Sequence, residues 1–472
     1  MKSFFQRFRK GSTPQSNIAD EDYFRSLRNR EFSRLDKENH VYLDYTGGNL
    51  YPESLLKKHH KLLSEGVLGN PHSSNPTSQK ATKLVEEARQ AVLDFFNASD
   101  DYYCVFTQNA SAALKIIGEC YPFNANSSLV MLADNHNSVN GIREFCKGKT
   151  GNAVYVPVQY EDLRINDEVL NEELTKHSFS ESKLFAFPAQ SNVSGVKHDL
   201  RWIERAQKMG YHVLLDAAAY VPANPLDLKS ITPDFVSVSF YKIFGYPTGI
   251  GCLLLRKSTY DILQKPWFAG GTVTLVSVAS QEKFLAEGHE RFEDGTLDYV
   301  NIPAVKMGLD FMNEIGMQRL QNRMKALIEE AISRLSAIKH DNGKPVLRIF
   351  GPADVAHRGS NMIMNFFDPE GNVYPFELIE DKANKRMISI RSGCFCNPGI
   401  DEINNCLSND ELAKYYVSRD KGDYYDMIKF LGKMRGAIRL SVGMATVESD
   451  LQAFENFVQS LVNQQITEGI PA

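Results

Sequence analysis

Two residue types with complementary chemistry close two apolar runs of this sequence. Lys242 stands at the end of "DFVSVSFYKIFG", and Asp216 ends "YHVLLDAAAY". A buried amine and a buried carboxylate at neighbouring strand ends suit pyridoxal phosphate. The lysine condenses with the aldehyde, and desolvation helps by lowering its pKa. The carboxylate pairs with the pyridinium nitrogen and keeps the ring an electron sink. An ordinary Asp–Lys ion pair accounts for the same two residues.

A phosphate needs an anion hole. "FTQNASAALKII" supplies a strand, a polar turn and a helix start, where backbone N–H groups and the Ser111 hydroxyl face an anion along the helix dipole. A plain helix cap reads the same way. His136, in "DNHNSVNG", has the shape to lie on a cofactor ring, or is simply a solvated loop histidine. Arg439 alternates with Ile438 and Leu440 and so projects from the other face of its strand. Its planar fork matches a carboxylate, the alternative being a surface arginine. Cys396, in "RSGCFCNPG", is open to three readings. A CxC pair without a second cluster is a weak zinc signal. A loop thiol near a cation such as Arg391 would be a nucleophile. A cysteine without a role is the third.

These residues need elements to place them. "YYCVFT", "SSLVMLADNHNS", "KLFAFPAQSNVSG", "YHVLLDAAAY" and "DFVSVSFYKIFG" are continuous apolar strands that run into polar loops. They alternate with helical patterns such as residues 78–97, which predicts a mainly parallel sheet between helices. Ligands collect at the carboxyl ends of such strands, where Ser111, His136, Asn192, Asp216 and Lys242 lie. After about residue 305 the texture changes. One long helical stretch from Ala304 to Ile338 leads to short strands, then "AIRLSVG" and a final helix opened by "ESD" at 448–450. This predicts a large domain over 40–305. A smaller α+β domain follows, from 306–472 together with 20–39, where a helix is expected near 20–36. Residues 1–19 are expected to form a disordered tail.

Composition narrows the function classes. The 472 residues are 43% apolar and 24% charged, with a net charge of −5. These are the proportions of a globular protein without the basic face of a nucleic-acid binder. No apolar run is long enough to cross a bilayer, so no membrane partner is expected. Seven cysteines spread thinly are no disulfide framework and fit a reducing, cytoplasmic setting.

Taken together, ten ordered stretches resemble the class V pyridoxal-phosphate enzymes, the aminotransferase-like family that contains the cysteine desulfurases. They are "VYLDYTGGNLY", "GNPHSSN", "FTQNASAALKI", "DNHNSVNGIR", "PAQSNVSG", "LLDAAAYV", "SFYKIFGYPTGIG", "FAGGTV", "FEDGTLDYVNI" and "RSGCFCNPG". Within that family the chain looks most like the desulfurase domain of molybdenum-cofactor sulfurases. The resemblance implies the PLP-transferase fold type I, with a mainly parallel sheet of the seven-stranded type beside a smaller α+β domain, and L-cysteine desulfuration, sulfur leaving the substrate as an enzyme persulfide and alanine being released.

By that resemblance Lys242 is the Schiff-base lysine, Asp216 holds the pyridine nitrogen and His136 stacks on the ring. Asn192 approaches the phenolic oxygen, and Ala110, Ser111 and Ser239 hold the phosphate. Arg439 takes the substrate carboxylate, with Asn70 and His72 of "GNPHSSN" on the substrate side, and Cys396 receives the sulfur. Gly271 and Thr272 would reach a neighbour's phosphate, which implies a homodimer. A sulfur-acceptor protein is a further expected partner. Two positions depart from the usual desulfurase pattern. Tyr241, counted here among the cofactor contacts, replaces the histidine before the lysine, and Ala219 replaces a glutamine after the aspartate. Eukaryotic sulfurases carry a further C-terminal domain, and the chain is expected to stop short of it. Alternatives on the same fold are an epimerase, a selenocysteine lyase or a C–S lyase. A non-catalytic sulfur-transfer partner is the alternative from another class.

Overall fold

The computed structural model describes residues 19–433 and 435–466. The expected tail over 1–19 thus lies, Ala19 apart, outside the described residues. The large sheet has seven strands: β1 (Tyr102–Thr107), β2 (Ser127–Leu132), β3 (Asn152–Val156), β4 (Ser182–Pro188), β5 (His212–Asp216), β6 (Phe235–Ser239) and β7 (Gly251–Arg256). Their order is β1-β7-β6-β5-β4-β2-β3. From β6 to β3 every pair is parallel, and β7 runs against both of its neighbours. The reversal follows from chain length. Residues 240–250 are too few for the crossover that a parallel return needs, so β7 folds straight back on β6.

Eight helices bear on the site: α1 (Glu21–Glu31), α2 (Pro76–Phe95), α3 (Ala110–Cys120), α4 (Phe240–Phe244), α5 (Pro303–Ile315), α6 (Met317–Ser336), α7 (Pro398–Asn404) and α8 (Glu448–Gln459). On one face of the large sheet Val85 and Val92 of α2 and Leu309 and Met312 of α5 join the core with Val130, Phe185 and Val213. On the other face Leu114 and Ile117 of α3 pack against Leu129, Met131, Leu184 and Leu214. Burial on both faces is the reason these strands read as unbroken apolar runs.

The long helical pattern after residue 303 is two helices, not one. Gly316 sits between α5 and α6 with φ of 84°, a conformation that ends a helix at little cost for glycine. The second sheet is antiparallel, with β8 (Leu347–Phe350), β9 (Asn361–Phe366), β10 (Arg391–Gly393) and β11 (Ala437–Ser441) in the order β8-β9-β11-β10. The segment after α1 is stitched to it. Val41 pairs with Ile388, and Asp44 bridges Ser441. Helix α1 is tied there as well, through Arg28 to Asp450 (2.6 Å) and Glu21 to Arg323 (2.6 Å). A short hairpin, Val273–Val276 against Lys283–Leu285, leaves Leu275, Val276, Val278 and Phe284 exposed.

Candidate active site

The carboxyl ends of the parallel strands open into a cavity of about 260 Å³. Asp216 ends β5 between Pro188 of β4 and Ser237 of β6. Its Oδ1 accepts from Ser237 Oγ (2.9 Å) and from the Ala218 N–H (3.1 Å), which fixes the carboxylate plane toward the cavity. Lys242 leaves β6 on the single turn of α4. Among the described residues no carboxylate lies within ion-pairing distance of its Nζ. Burial pulls the amine below the ordinary lysine value, Asp216 opposes the shift and Arg439 adds to it. The simple Asp–Lys ion pair is therefore not what the fold builds.

An anion cradle faces these two groups. Asn109 caps α3 by accepting from the Ala112 N–H (3.0 Å), and Ser239 Oγ accepts from the Ala110 N–H (2.9 Å). Ser111 Oγ lies 2.6 Å from Ser138 Oγ. The backbone of this turn rests directly on β7: a Cβ on Gly251 would stand 2.7 Å from Asn109 Cα. His136 lines the same cavity and accepts the Ser138 N–H at Nδ1 (3.1 Å), which puts the proton of the neutral ring on Nε2. Burial and the nearby Lys242 lower its pKa, while Asp216 opposes. Tyr241 also lines the cavity, and burial raises its phenol.

Arg439 enters from β11. Its two terminal nitrogens donate to Asn192 O (3.0 Å) and Asp44 Oδ1 (2.8 Å), and its buried Nε has no partner among the described residues. Arg391 of β10 stands directly opposite Arg439 in the strand pair. Like charges so placed repel. Asp44 lies between them and binds both, meeting Arg391 NH2 at 2.6 Å through Oδ2.

The thiol loop closes the last side. Phe395 and Cys396 are consecutive residues in the left-handed region, with φ of 56° and 54°. Three contacts hold that backbone: Cys396 O accepts the Asn137 N–H (2.7 Å), Phe395 O accepts from Asn192 Nδ2 (2.9 Å), and the Phe395 ring lies against the Arg439 guanidinium (5.0 Å). Cys396 is exposed and close enough to Lys242 to count among the groups that act on its amine. Cys394 is half-buried, and burial with nearby Asp401 raises its thiol. This separates the two cysteines, which the sequence did not rank.

Lys242, Asp216, His136, Asn192, Ala110, Ser111, Ser239 and Tyr241 thus share one cavity, with Arg439 and Cys396 joined to it through Asn192 and its neighbours. Asn70 and His72 are exposed and are not among the residues that line it. Gly271 and Thr272 also lie outside, where the Thr272 hydroxyl bonds locally to Ala269. Sequence reasoning missed Asp44, Gln190, Ser138 and Asn397. For Asp44, its place in "VYLDYTGG" was a usable signal. The others stand in quoted stretches as well, "PAQSNVSG", "DNHNSVNGIR" and "RSGCFCNPG", but nothing in those stretches names their partners.

The donor set fits pyridoxal phosphate. A helix N-terminus with serines suits the phosphate, an unpaired buried lysine suits the aldehyde, and a carboxylate fixed from one side suits the ring nitrogen. Comparison with known proteins agrees. The model of the family described as aminotransferase class V matches residues 41–454. The chain is 34% identical to the molybdenum cofactor sulfurase of Homo sapiens, covering 92% of this chain and 51% of that one. It is 36% identical to the enzyme of the same name from Solanum lycopersicum, covering 92% and 56%. The chain therefore spans about half the length of these curated relatives. Among solved structures, a cysteine desulfurase from Thermococcus onnurineus superposes with a TM-score of 0.75 at 22% identity, covering 95% of this chain and 99% of that one. One from Escherichia coli superposes at 0.72 and 20% identity, covering 94% and 99%.

Proposed function

The chain belongs to the class V aminotransferase family, a pyridoxal-phosphate enzyme by its fold and donor set, and from that premise we propose that it takes sulfur from L-cysteine onto Cys396 and releases alanine. One observation carries this reading: the loop that bears the Cys396 thiol is fastened at Phe395 O to Asn192, a residue that lines the same cavity as Lys242 and Asp216. Lys242 would anchor the cofactor, Asp216 would hold its ring nitrogen, His136 would lie against its ring, and the α3 turn with Ser239 would take its phosphate. When bound, the cofactor supplies an electron sink next to the substrate's α-carbon.

The chain's own groups do the rest. Arg439 holds the substrate carboxylate, oriented by Asp44 and Asn192 O. Lys242 Nζ, released from its anchoring role, takes the α-proton, and its lowered pKa leaves more of the free amine for that task. Cys396 Sγ, as thiolate, attacks the substrate sulfur. A new S–S bond forms, the Cβ–S bond breaks with its electron pair left on the carbon side, a proton is delivered to Cβ, and the proton held by Lys242 returns to Cα to complete alanine.

Further parts of the reading rest on separate observations. The exposed apolar residues Leu275, Val276, Val278 and Phe284 of the hairpin support a homodimer in which a second copy covers them. All seven cysteines are free, which supports a reducing, cytoplasmic location. Among the described residues no helix is long and apolar enough to cross a membrane. The two larger sheets support a large domain and a small one, read as 40–305 and as 20–39 with 306–472, but the pairing of Val41 with Ile388 and Asp44 with Ser441 puts residues 41–44 with the small one. Passage of the persulfide sulfur to an acceptor protein, and any part in sulfurating a molybdenum cofactor, belong to the same proposal, since the relatives so named are about twice as long.

The test is Cys396→Ala. It should keep the cofactor's borohydride-reducible link to Lys242 and lose sulfide release from cysteine with reductant. Undiminished sulfide release would instead assign lyase chemistry that needs no acceptor thiol.

A further inference from the structure

The loop that carries Cys396 is tied to the cavity by one side chain that the mechanism above does not use. Asn397 is fully buried. Its Nδ2 donates to Asp134 O (2.6 Å) and to Asn192 Oδ1 (3.1 Å), and its Oδ1 accepts the Ile400 N–H (3.4 Å) at the start of α7. An amide nitrogen has two hydrogens, so both are spent. The contact with Asn192 has a consequence for that residue. An Asn side chain has a donor end and an acceptor end, and which way it faces is decided by its partners. With Oδ1 turned to Asn397, Nδ2 of Asn192 must face the other way. One of its hydrogens goes to Phe395 O, and the second is left for the cavity that Asn192 lines.

We propose that Asn397 is a positioning residue that couples the thiol loop to the cofactor site, setting at once the orientation of the Asn192 amide and the seat of Cys396. The loop cannot leave its seat without freeing Asn192 to turn, and Asn192 cannot turn without losing its bond to Phe395 O. The seat is close-fitting elsewhere too. Gly399, two residues on, approaches Ala133 so closely that a Cβ would stand 2.0 Å from Ala133 O. The inference rests on the reading of Asn192 as a cofactor contact and of Cys396 as the sulfur acceptor.

Asn397→Asp tests it with little change of shape. The aspartate keeps the acceptor for the Ile400 N–H but has no hydrogen for Asp134 O or Asn192 Oδ1. Three readings are taken on cofactor-loaded protein, with Asn192→Ala and the double variant beside it. The first is the pH midpoint of the cofactor's visible absorbance. The second is the alkylation rate of Cys396 by iodoacetamide, followed by peptide mass spectrometry. The third is the rate of Cys396 persulfide formation from L-cysteine. Asn397→Asp should move the absorbance midpoint, change Cys396 alkylation severalfold and slow persulfide formation about tenfold or more. Asn192→Ala should do the same, and the double variant should be no worse than the poorer single, because both remove one connection.

A role confined to holding α7 in place would leave the absorbance midpoint unmoved and make the two effects multiply; either result overturns the coupling. If Asn397→Asp does not fold, Asn192→Ala breaks the same contact from the other side, and an unchanged Cys396 alkylation rate there refutes the proposal. Alkylation and absorbance do not depend on cysteine turnover. A wild-type protein that forms no persulfide would thus overturn the desulfurase reading separately.

Discussion

Asn in place of Asp44 should unfold this protein more easily than its modest change of shape suggests. Asp44 holds two guanidiniums in very different surroundings: the Arg439 side chain is 3% exposed, that of Arg391 51%, and Asp44 itself 9%. Burial already lowers the Arg439 pKa, with Asp44 the main opposing influence. Breaking a buried pair from one side costs about 3–5 kcal/mol, because the other charge is left uncompensated. The asparagine oxygen still accepts one hydrogen bond, which returns about 1 kcal/mol. Asp44→Asn should therefore cost about 2–4 kcal/mol by these figures. Arg391→Ala removes a half-exposed partner of the same carboxylate, worth about 0–1 kcal/mol, and relieves repulsion across the strand pair. Urea unfolding of cofactor-free protein checks both, with m-values compared because the two sheets need not unfold together. An Asp44→Asn variant within about 0.5 kcal/mol of wild type, an interval typical of neutral surface changes, would refute this account. So would an Arg391→Ala variant that loses as much as Asp44→Asn.

Three further outcomes are expected. Lys242→Met should change the pH dependence of cofactor-free stability. With the folded pKa lowered, the unfolded chain binds the proton first, so stability rises with pH from the folded value toward the unfolded value of about 10.4. The variant should lack that rise, as read from thermal melts at several pH values; a rise of equal size in both proteins would count against the burial of the amine. Gly399→Ala should push the thiol loop off Ala133 and raise hydrogen exchange in peptides covering 394–400, while cofactor content stays near wild type. Exchange identical to wild type would show that the close approach is not maintained. Replacing Leu275 and Phe284 together by Asp should halve the mass found by light scattering; an unchanged mass would remove the hairpin from the proposed dimer contact.

The parts of the site that the sequence disclosed share a cause. Lys242, Asp216 and His136 follow continuous apolar runs, and such runs mark strands buried on both faces whose ends line a crevice. Arg439 was visible because alternation along a strand assigns faces by counting. The long pattern after residue 303 concealed a break, because helical periodicity continues across Gly316 on both sides and a single glycine does not announce its φ. The direction of β7 was hidden in the same manner, since an apolar run carries no sign. What Asp44 and Asn397 do was out of reach for a different reason, although both stand in stretches that had drawn notice. Their roles are defined by partners such as Arg439, Arg391, Asp134 and Asn192, far away in the sequence, and no local spacing encodes such meetings.

The reversed strand β7 also sets an order of events during synthesis. Strand β1 emerges early, yet its sole neighbour in the sheet is β7, so it must wait until residues 251–256 have been made. The turn after β1 rests on Gly251 and is tied to Ser239, and so it too is unfinished until then. Nascent chains shorter than this carry an unpaired apolar edge, a target for chaperones and a hazard for misassembly. They also lack a completed cradle for the phosphate. The vitamin-derived cofactor would thus find its phosphate cradle only after more than half of the 472 residues have been made, and its capture would report that the edge of the sheet has closed.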